Sequence, residues 1–244
     1  MEQIRRADYE GDRASLRTLH TQLAAEPVGN ASKSLVLYWR GFALWRRSIN
    51  GFNETPTPDD LDADLVAAIA EFEAALREDP KTVESRAGLA SCLGLRVFLK
   101  GKGKLDDEGR AALTRSLALM KEGQELEPDN PRLLWVMGPA LWWTPPGSPP
   151  ETVDQRQGKA IANYQRGLEA FAKGSAPAGG SLQPTWGEPE LHMSLGWSYL
   201  KRRVPDLVQA DAHARKALEL VPTWHYVRDI LVPQIETARR TASR

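Results

Sequence analysis

Residues 61–80, LDADLVAAIAEFEAALREDP, decide the fold class. Leu61, Leu65, Ala68, Ile69, Phe72, Ala75 and Leu76 fall at three- and four-residue steps, which places them on one stripe of a helix with acidic residues opposite. Asp79-Pro80 ends the pattern, because proline brings no N–H to the helical ladder. The layout recurs over 109–127 (GRAALTRSLALMKEGQELE), closed by Pro128, and over 207–221 (LVQADAHARKALELV), closed by Pro222. Residues 155–172 carry a fourth version, with Ala160, Ile161, Tyr164, Leu168 and Phe171 on one face. No β-branched run alternates with period two, so the chain reads as all-α.

Helices of a second character lie between these. Each holds a small residue among bulky neighbours: Gly41 in LVLYWRGFALWRRS, Ala90 in RAGLASCLGLRVFL, Gly138 in RLLWVMGPALWW and Gly196 in ELHMSLGWSYLKR. Glycine inside a helix costs about 1 kcal/mol relative to alanine, and close approach of a second helix offsets that cost. The four positions are spaced by 49, 48 and 58 residues, and Pro80 and Pro128 are 48 apart. A helix pair recurring at near-constant spacing indicates a helical solenoid.

On these residues the chain resembles the tetratricopeptide repeat (TPR) family. The first unit has Gly41, then Ala68, Phe72, Ala75 and Asp79-Pro80; the last has Leu195-Gly196 and Tyr199, then Ala210, Ala214, Ala217 and Pro222. The second unit has Leu89-Ala90 and Leu93, then Ser116, Met120, Gly123 and Pro128. The third has Met137-Gly138 and Leu141, then Ala160, Tyr164 and Gly167, without a closing proline. The resemblance implies one right-handed stack of antiparallel helix pairs over 33–80, 83–128, 131–172 and 188–222. A leading helix at 3–26 and a trailing helix at 223–241 would flank it, the latter kinked by Pro233. Family repeats are about 34 residues long. The extra residues here fall at 50–60, 99–108 and 144–154, between the helices of a pair, and at 173–188, between units. Loops of this length commonly carry function.

Composition limits what the chain does. Its 244 residues contain 32 Lys+Arg and 32 Asp+Glu, a net charge of zero that argues against nucleic-acid coating and against a polybasic membrane surface. No apolar run is long enough to span a bilayer. Cys92 is the sole cysteine, so no internal disulfide and no cysteine-based zinc site exists. The first residues, MEQIRRAD, do not read as a signal peptide; a cytoplasmic protein and an exported one lacking its leader are both open. A monomer or weak homo-oligomer is expected.

Catalytic motifs are sparse. Gly101-Lys102-Gly103-Lys104 lacks the spacing of a phosphate loop and no strand precedes it. His20, His192, His213 and His225 show no metal-ligand spacing, so no metal and no cofactor is expected; His192, at the start of a first helix, has the best placement of the four. Cys92 sits in ALASCLGL with no base beside it and reads as a small hydrophobe.

The eight tryptophans are the less ordinary feature. Trp39 matches the packing side of the resemblance. In the family the first helices line a concave groove, and counting helical steps from the small residues puts Tyr38, Phe42, Trp45, Trp135, Trp142, Trp143, Met193 and Trp197 on that side, with His192 beside them. Arg46, Arg96, Arg132 and Lys201 fall nearer its edges. This aromatic lining departs from family members that grip peptide carboxylates with Lys, Arg and Asn. Arg46, Asn50 and Asn53 join the aromatic face to a loop, either as polar groups of a ligand site or as residues that tuck the loop and cap turns. The expectation is that Trp45, Trp142 and Trp197 keep a face toward solvent or toward the inserted loops.

The resemblance implies a non-enzymatic scaffold that holds a peptide or protein segment in the groove. A binding protein for a small apolar or aromatic ligand, alongside a transporter if exported, is a second reading; an enzyme whose site the sequence does not reveal is a third. A long open groove suits a peptide and a closed pocket suits a small molecule.

Overall fold

Capping residues in the sequence set where helices begin. The side chains of Asp12, Asp106, Asn130 and Asp206 accept hydrogen bonds from backbone N–H groups two or three residues on, at 2.7–3.1 Å. Pro131 and Pro150 open helices, where a missing N–H costs nothing. The computed structural model describes residues 1–25, 29, 32–101, 105–174 and 182–242. Among these residues are eleven α-helices, one π-helical segment and no strand. The helices are α1 (Glu2–Tyr9), α2 (Arg13–Ala25), α3 (Lys33–Gly51), α4 (Leu61–Glu78), α5 (Val83–Gly101) and α6 (Asp107–Leu126). They continue as α7 (Pro131–Trp142), α8 (Pro150–Ala172), α9 (Glu188–Lys201), α10 (Leu207–Leu220) and α11 (Val232–Ala242), with the π-helical segment at Tyr226–Leu231. No described helix is long and apolar enough to cross a membrane. The helices gather into two compact units, Met1–Pro128 with Ala178–Pro184, and Asp129–Pro177 with Thr185–Arg244.

In the first unit α3 and α4 run antiparallel. The Ser34 hydroxyl donates to the Ala75 carbonyl at 3.1 Å and Ser48 donates to Leu61 at 3.2 Å, joining the start of each helix to the end of the other. Phe72 of α4 is the wedge. A Cβ at Gly41 of α3 would lie 2.9 Å from its ring, and one at Gly88 of α5 would lie 2.4 Å from it. Glycine at both positions is therefore a close-approach requirement, and the sequence signal at Gly41 is explained. Ala90 meets α6 instead, its carbonyl accepting from Ser116 at 2.8 Å. The expected single helix at 3–26 is two helices. Gly11, with φ of 73°, turns the chain in the left-handed region that glycine tolerates, and Asp12 starts α2.

In the second unit α7 and α8 are antiparallel, with Arg166 of α8 reaching back to Asp129 at 2.7 Å and Arg156 donating to the Ala140 carbonyl at 2.6 Å. A Cβ at Gly138 would lie 2.0 Å from the ring of Tyr164, and one at Gly196 would lie 3.1 Å from the Ala210 carbonyl oxygen in α10. Ala160, Ile161, Tyr164, Leu191 and Leu195 form the core between α8 and α9. Past α10, the Val232 N–H donates five residues back to Val227, so the helix widens to π spacing directly before Pro233. That widening accommodates a ring with no N–H, and the expected interruption takes this form.

Candidate functional site: a polar cleft in the first unit

The aromatic face of α3 is a core. Tyr38, Trp39, Phe42 and Trp45 are fully buried, which corrects the expectation that Trp45 keeps an open face and that Phe42 lines an accessible groove, while Tyr38 reaches only the edge of the cleft described below. Their rings meet one another and Phe72 mostly edge-to-face at 5.0–6.1 Å, as buried aromatic quadrupoles prefer. The Trp45 indole donates to Ser91 of α5 at 3.1 Å. Arg46 and Asn50 are buried too. The Arg46 guanidinium donates to the Asp8 carboxylate at 2.7 Å and lies within 6 Å of the rings of Phe42 and Trp45, while the Asn50 amide donates to the other Asp8 oxygen at 2.9 Å. Both side chains therefore pin α1 onto α3, a role that neither the ligand-site nor the loop-tucking reading named. Asn53 is half-buried, its N–H donating to the Asn50 carbonyl at 3.0 Å.

One ring of this face reaches a non-helical segment. The Trp39 indole N–H donates to the main-chain carbonyl of Leu182 at 2.7 Å. The next two residues, Gln183 and Pro184, form one wall of a cleft of about 490 Å³. Its other walls are Ser34, Leu35 and Tyr38 of α3, Glu78 at the end of α4, the turn Asp79, Lys81 and Thr82, Glu84 of α5, and Glu127. The turn is fixed locally. The Asp79 carboxylate accepts from the Lys81 N–H at 3.0 Å, and the Thr82 hydroxyl donates to the Asp79 carbonyl at 3.1 Å, the geometry that follows Asp-Pro at a helix end. Glu78 is met by Lys33 at 2.6 Å. Four carboxylates and Lys81 line the cleft and Lys33 pairs with Glu78, so acidic groups outnumber basic ones there although the chain as a whole is neutral.

Opposite charges also cluster at the far end of α3 and α4. Arg13, Arg17, Arg47, Asp60 and Asp64 form a network, with Arg47 donating to Asp60 at 2.6 Å and pairing with buried Asp64. Burial raises the Asp64 carboxyl against the pull of Arg47. Each group there has a partner, so the network ties α2 to the α3/α4 hairpin.

The remaining expected site residues lie in the second unit. Trp135, Trp142, Met193 and Trp197 are half-buried and Trp143 is 61% exposed. Trp142 and Trp197 pack edge-to-face at 5.1 Å, and both are half-buried. The Trp135 indole donates to Ser194 at 2.9 Å and stands edge-on to Trp186. Arg132, expected near an edge, is fully buried and donates to the Trp186 carbonyl at 3.2 Å. His192 faces His213, a pairing across 21 residues that no spacing rule exposes. Cys92 is buried, which pushes its thiol well up and leaves it a packing residue. Lys102, Gly103 and Lys104, and residues 175–181 of the 173–188 insertion, lie outside the described residues.

The cleft itself was not anticipated. Its carboxylates come from a helix end, a turn, a helix start and the residue after α6, which only the packing brings together. The repeated closing motif, Asp79-Pro80 and Glu127-Pro128, was the available signal, since it places a carboxylate at the same point of two successive units. No protein-family model, no curated protein and no solved structure matches the chain.

Proposed function

We propose that the protein is a non-enzymatic, TPR-like interaction scaffold whose first unit holds a peptide or protein segment bearing basic side chains in the polar cleft. The observation that carries this reading is the 2.7 Å hydrogen bond from Trp39 to the Leu182 carbonyl. This helical face takes up a non-helical main chain of its own, and the cleft continues from that chain past Glu78, Asp79, Glu84 and Glu127. Main-chain hydrogen bonds would give affinity and the carboxylates would select lysine or arginine. The acidic lining inverts the basic clamp by which the resembled family grips carboxylates, so an acidic peptide is disfavoured here.

The test is fluorescence anisotropy with three labelled peptides of equal length: lysine/arginine-rich, neutral and acidic. The basic peptide is expected to bind, to weaken with added salt, and to lose affinity in the triple variant Glu78→Gln, Glu84→Gln, Glu127→Gln. Equal binding of all three peptides, or a basic peptide indifferent to the triple variant, refutes the reading. A small apolar ligand is the second reading, and the half-buried Trp142–Trp197 pair of the second unit favours it. Quenching of tryptophan emission by such a ligand, lost in Trp197→Ala, would support it.

A further inference from the structure

The longest uninterrupted basic run in the chain is Lys201-Arg202-Arg203. It ends α9 and enters the turn to α10 in the second unit, and Val204-Pro205 complete that turn. Local bonds fix its shape. The Arg202 N–H donates to the Ser198 carbonyl and the Asp206 N–H to the Tyr199 carbonyl, both at 2.9 Å, which closes the turn on the helix end. The Gln157 side chain of α8 accepts from the Arg203 N–H at 3.0 Å, and the Arg203 guanidinium holds Asp154 of α8 at 2.6–3.0 Å. Arg203 is the anchor. Among the described residues, the side chains of Lys201 and Arg202 have no hydrogen bond or ion pair. Lys201 is exposed, Arg202 is half-buried and Val204 is 59% exposed.

A turn already held in shape loses little conformational entropy on binding. Its cations complement the cleft of the first unit, where Glu78, Asp79, Glu84 and Glu127 outnumber Lys81 and the Lys33 that meets Glu78. Val204-Pro205 also offers apolar surface to Leu35 and Pro184 in the cleft wall. The adjacent basic pairs elsewhere are less suited. Arg46 and Arg47 are buried, and Arg5-Arg6, Arg215-Lys216 and Arg239-Arg240 lie within helices.

We propose that the partner of the cleft is a second copy of this chain, whose α9–α10 turn enters it with Lys201 and Arg202 toward the carboxylates. The inference rests on the peptide reading above and names its partner. Turn and cleft are different surfaces, so the contact closes as a reciprocal dimer or runs on from copy to copy. Salt screens such a contact, so association is reversible and strongest at low ionic strength.

The experiment is sedimentation velocity on the full chain over a concentration series, in about 0.05 M and about 0.5 M NaCl. The average mass should rise with concentration at low salt and fall toward the monomer at high salt. Two charge-reversed chains test the contact: Lys201→Glu, Arg202→Glu in the turn, and Glu84→Lys, Glu127→Lys in the cleft. Association of each alone should weaken about tenfold or more. An equimolar mixture should associate again, because each turn then finds a cleft of opposite charge. Unfolded chains cannot restore one another in this way, and circular dichroism checks that each variant is folded. A wild-type chain that is monomeric throughout, variants that associate as the wild type does, or a mixture that stays monomeric overturns the proposal. A monomeric wild type that still binds the lysine/arginine-rich peptide overturns this proposal alone, whereas loss of that binding as well overturns the reading it rests on.

Discussion

Gly88→Ala is expected to destabilise the wild-type chain and to stabilise the Phe72→Ala variant. The change of sign follows from the wedge. In the wild type a methyl at position 88 would sit 2.4 Å from Cζ of a fully buried ring that is also held 2.9 Å from the corresponding point at Gly41. The ring has nowhere to retreat, so overpacking costs about 1–3 kcal/mol, of which the gain in helix propensity returns about 1. The net loss is up to about 2 kcal/mol. Phe72→Ala removes the ring and leaves a cavity, at a cost of about 3–5 kcal/mol. In that background the clash is gone, the propensity gain remains and the methyl fills part of the void. Gly88→Ala then gains about 1 kcal/mol, and the coupling between the sites is about 1–3 kcal/mol. Urea denaturation followed by far-ultraviolet circular dichroism measures all four corners of the cycle, and it avoids the fluorescence of the aromatic cluster. The reasoning fails if Gly88→Ala has the same sign in both backgrounds.

Three other perturbations have defined outcomes. Asp8→Ala strands the Arg46 guanidinium, 3% exposed, without its carboxylate, and a loss of about 3–5 kcal/mol in urea melts is expected, partly restored by adding Arg46→Met. Trp45→Ala should cost about 3–5 kcal/mol, since the ring is sealed and its N–H bonded to Ser91, whereas Trp142→Ala, at a half-buried ring, should cost less; equal losses would contradict the assigned burial. Burial first, then the neighbouring charges of His213 and Lys216, hold the His192 pKa down at about 4, while in the unfolded chain it titrates near 6.5. As pH falls below about 6.5 the unfolded chain takes up a proton that the native one does not, so this contribution to stability declines until about pH 4; His192→Gln should flatten the stability profile in that window, and an unchanged slope would refute the shift.

The all-helical class was legible because one period dominates the chain. Apolar residues at three- and four-residue steps admit no strand, and Asp79-Pro80 and Glu127-Pro128 mark helix ends that the structure places within two residues. The close-approach glycines were legible as well, since a helical glycine with bulky neighbours needs a reason. What one element's sequence could not supply was the identity of the partner. Gly88 rather than Ala90 receives Phe72, and both positions are small, so only the crossing point of α4 and α5 distinguishes them. The break at Gly11 was missed because a single glycine between two helical stretches resembles the tolerated ones elsewhere.

The site was harder to read for a related reason. Helical periodicity tells which residues share a face, but not whether that face meets solvent or another helix. Tyr38, Phe42 and Trp45 share one, as counted; what closes it is α5, which takes the Trp45 indole through Ser91, and α1, which takes Arg46 and Asn50 through Asp8. Asp8 gave no sign of this role, because a carboxylate in a charged N-terminal segment reads as a solvated one. With the aromatic face sealed, accessible volume moves to the helix ends, where turns carry carboxylates. That displacement changes the physics of recognition. An aromatic groove draws ligands by apolar burial and is insensitive to salt, whereas a cleft of four carboxylates acts through a field that falls off within about 10 Å at 0.1 M salt. The salt dependence of binding therefore distinguishes the two locations directly, before any partner is identified.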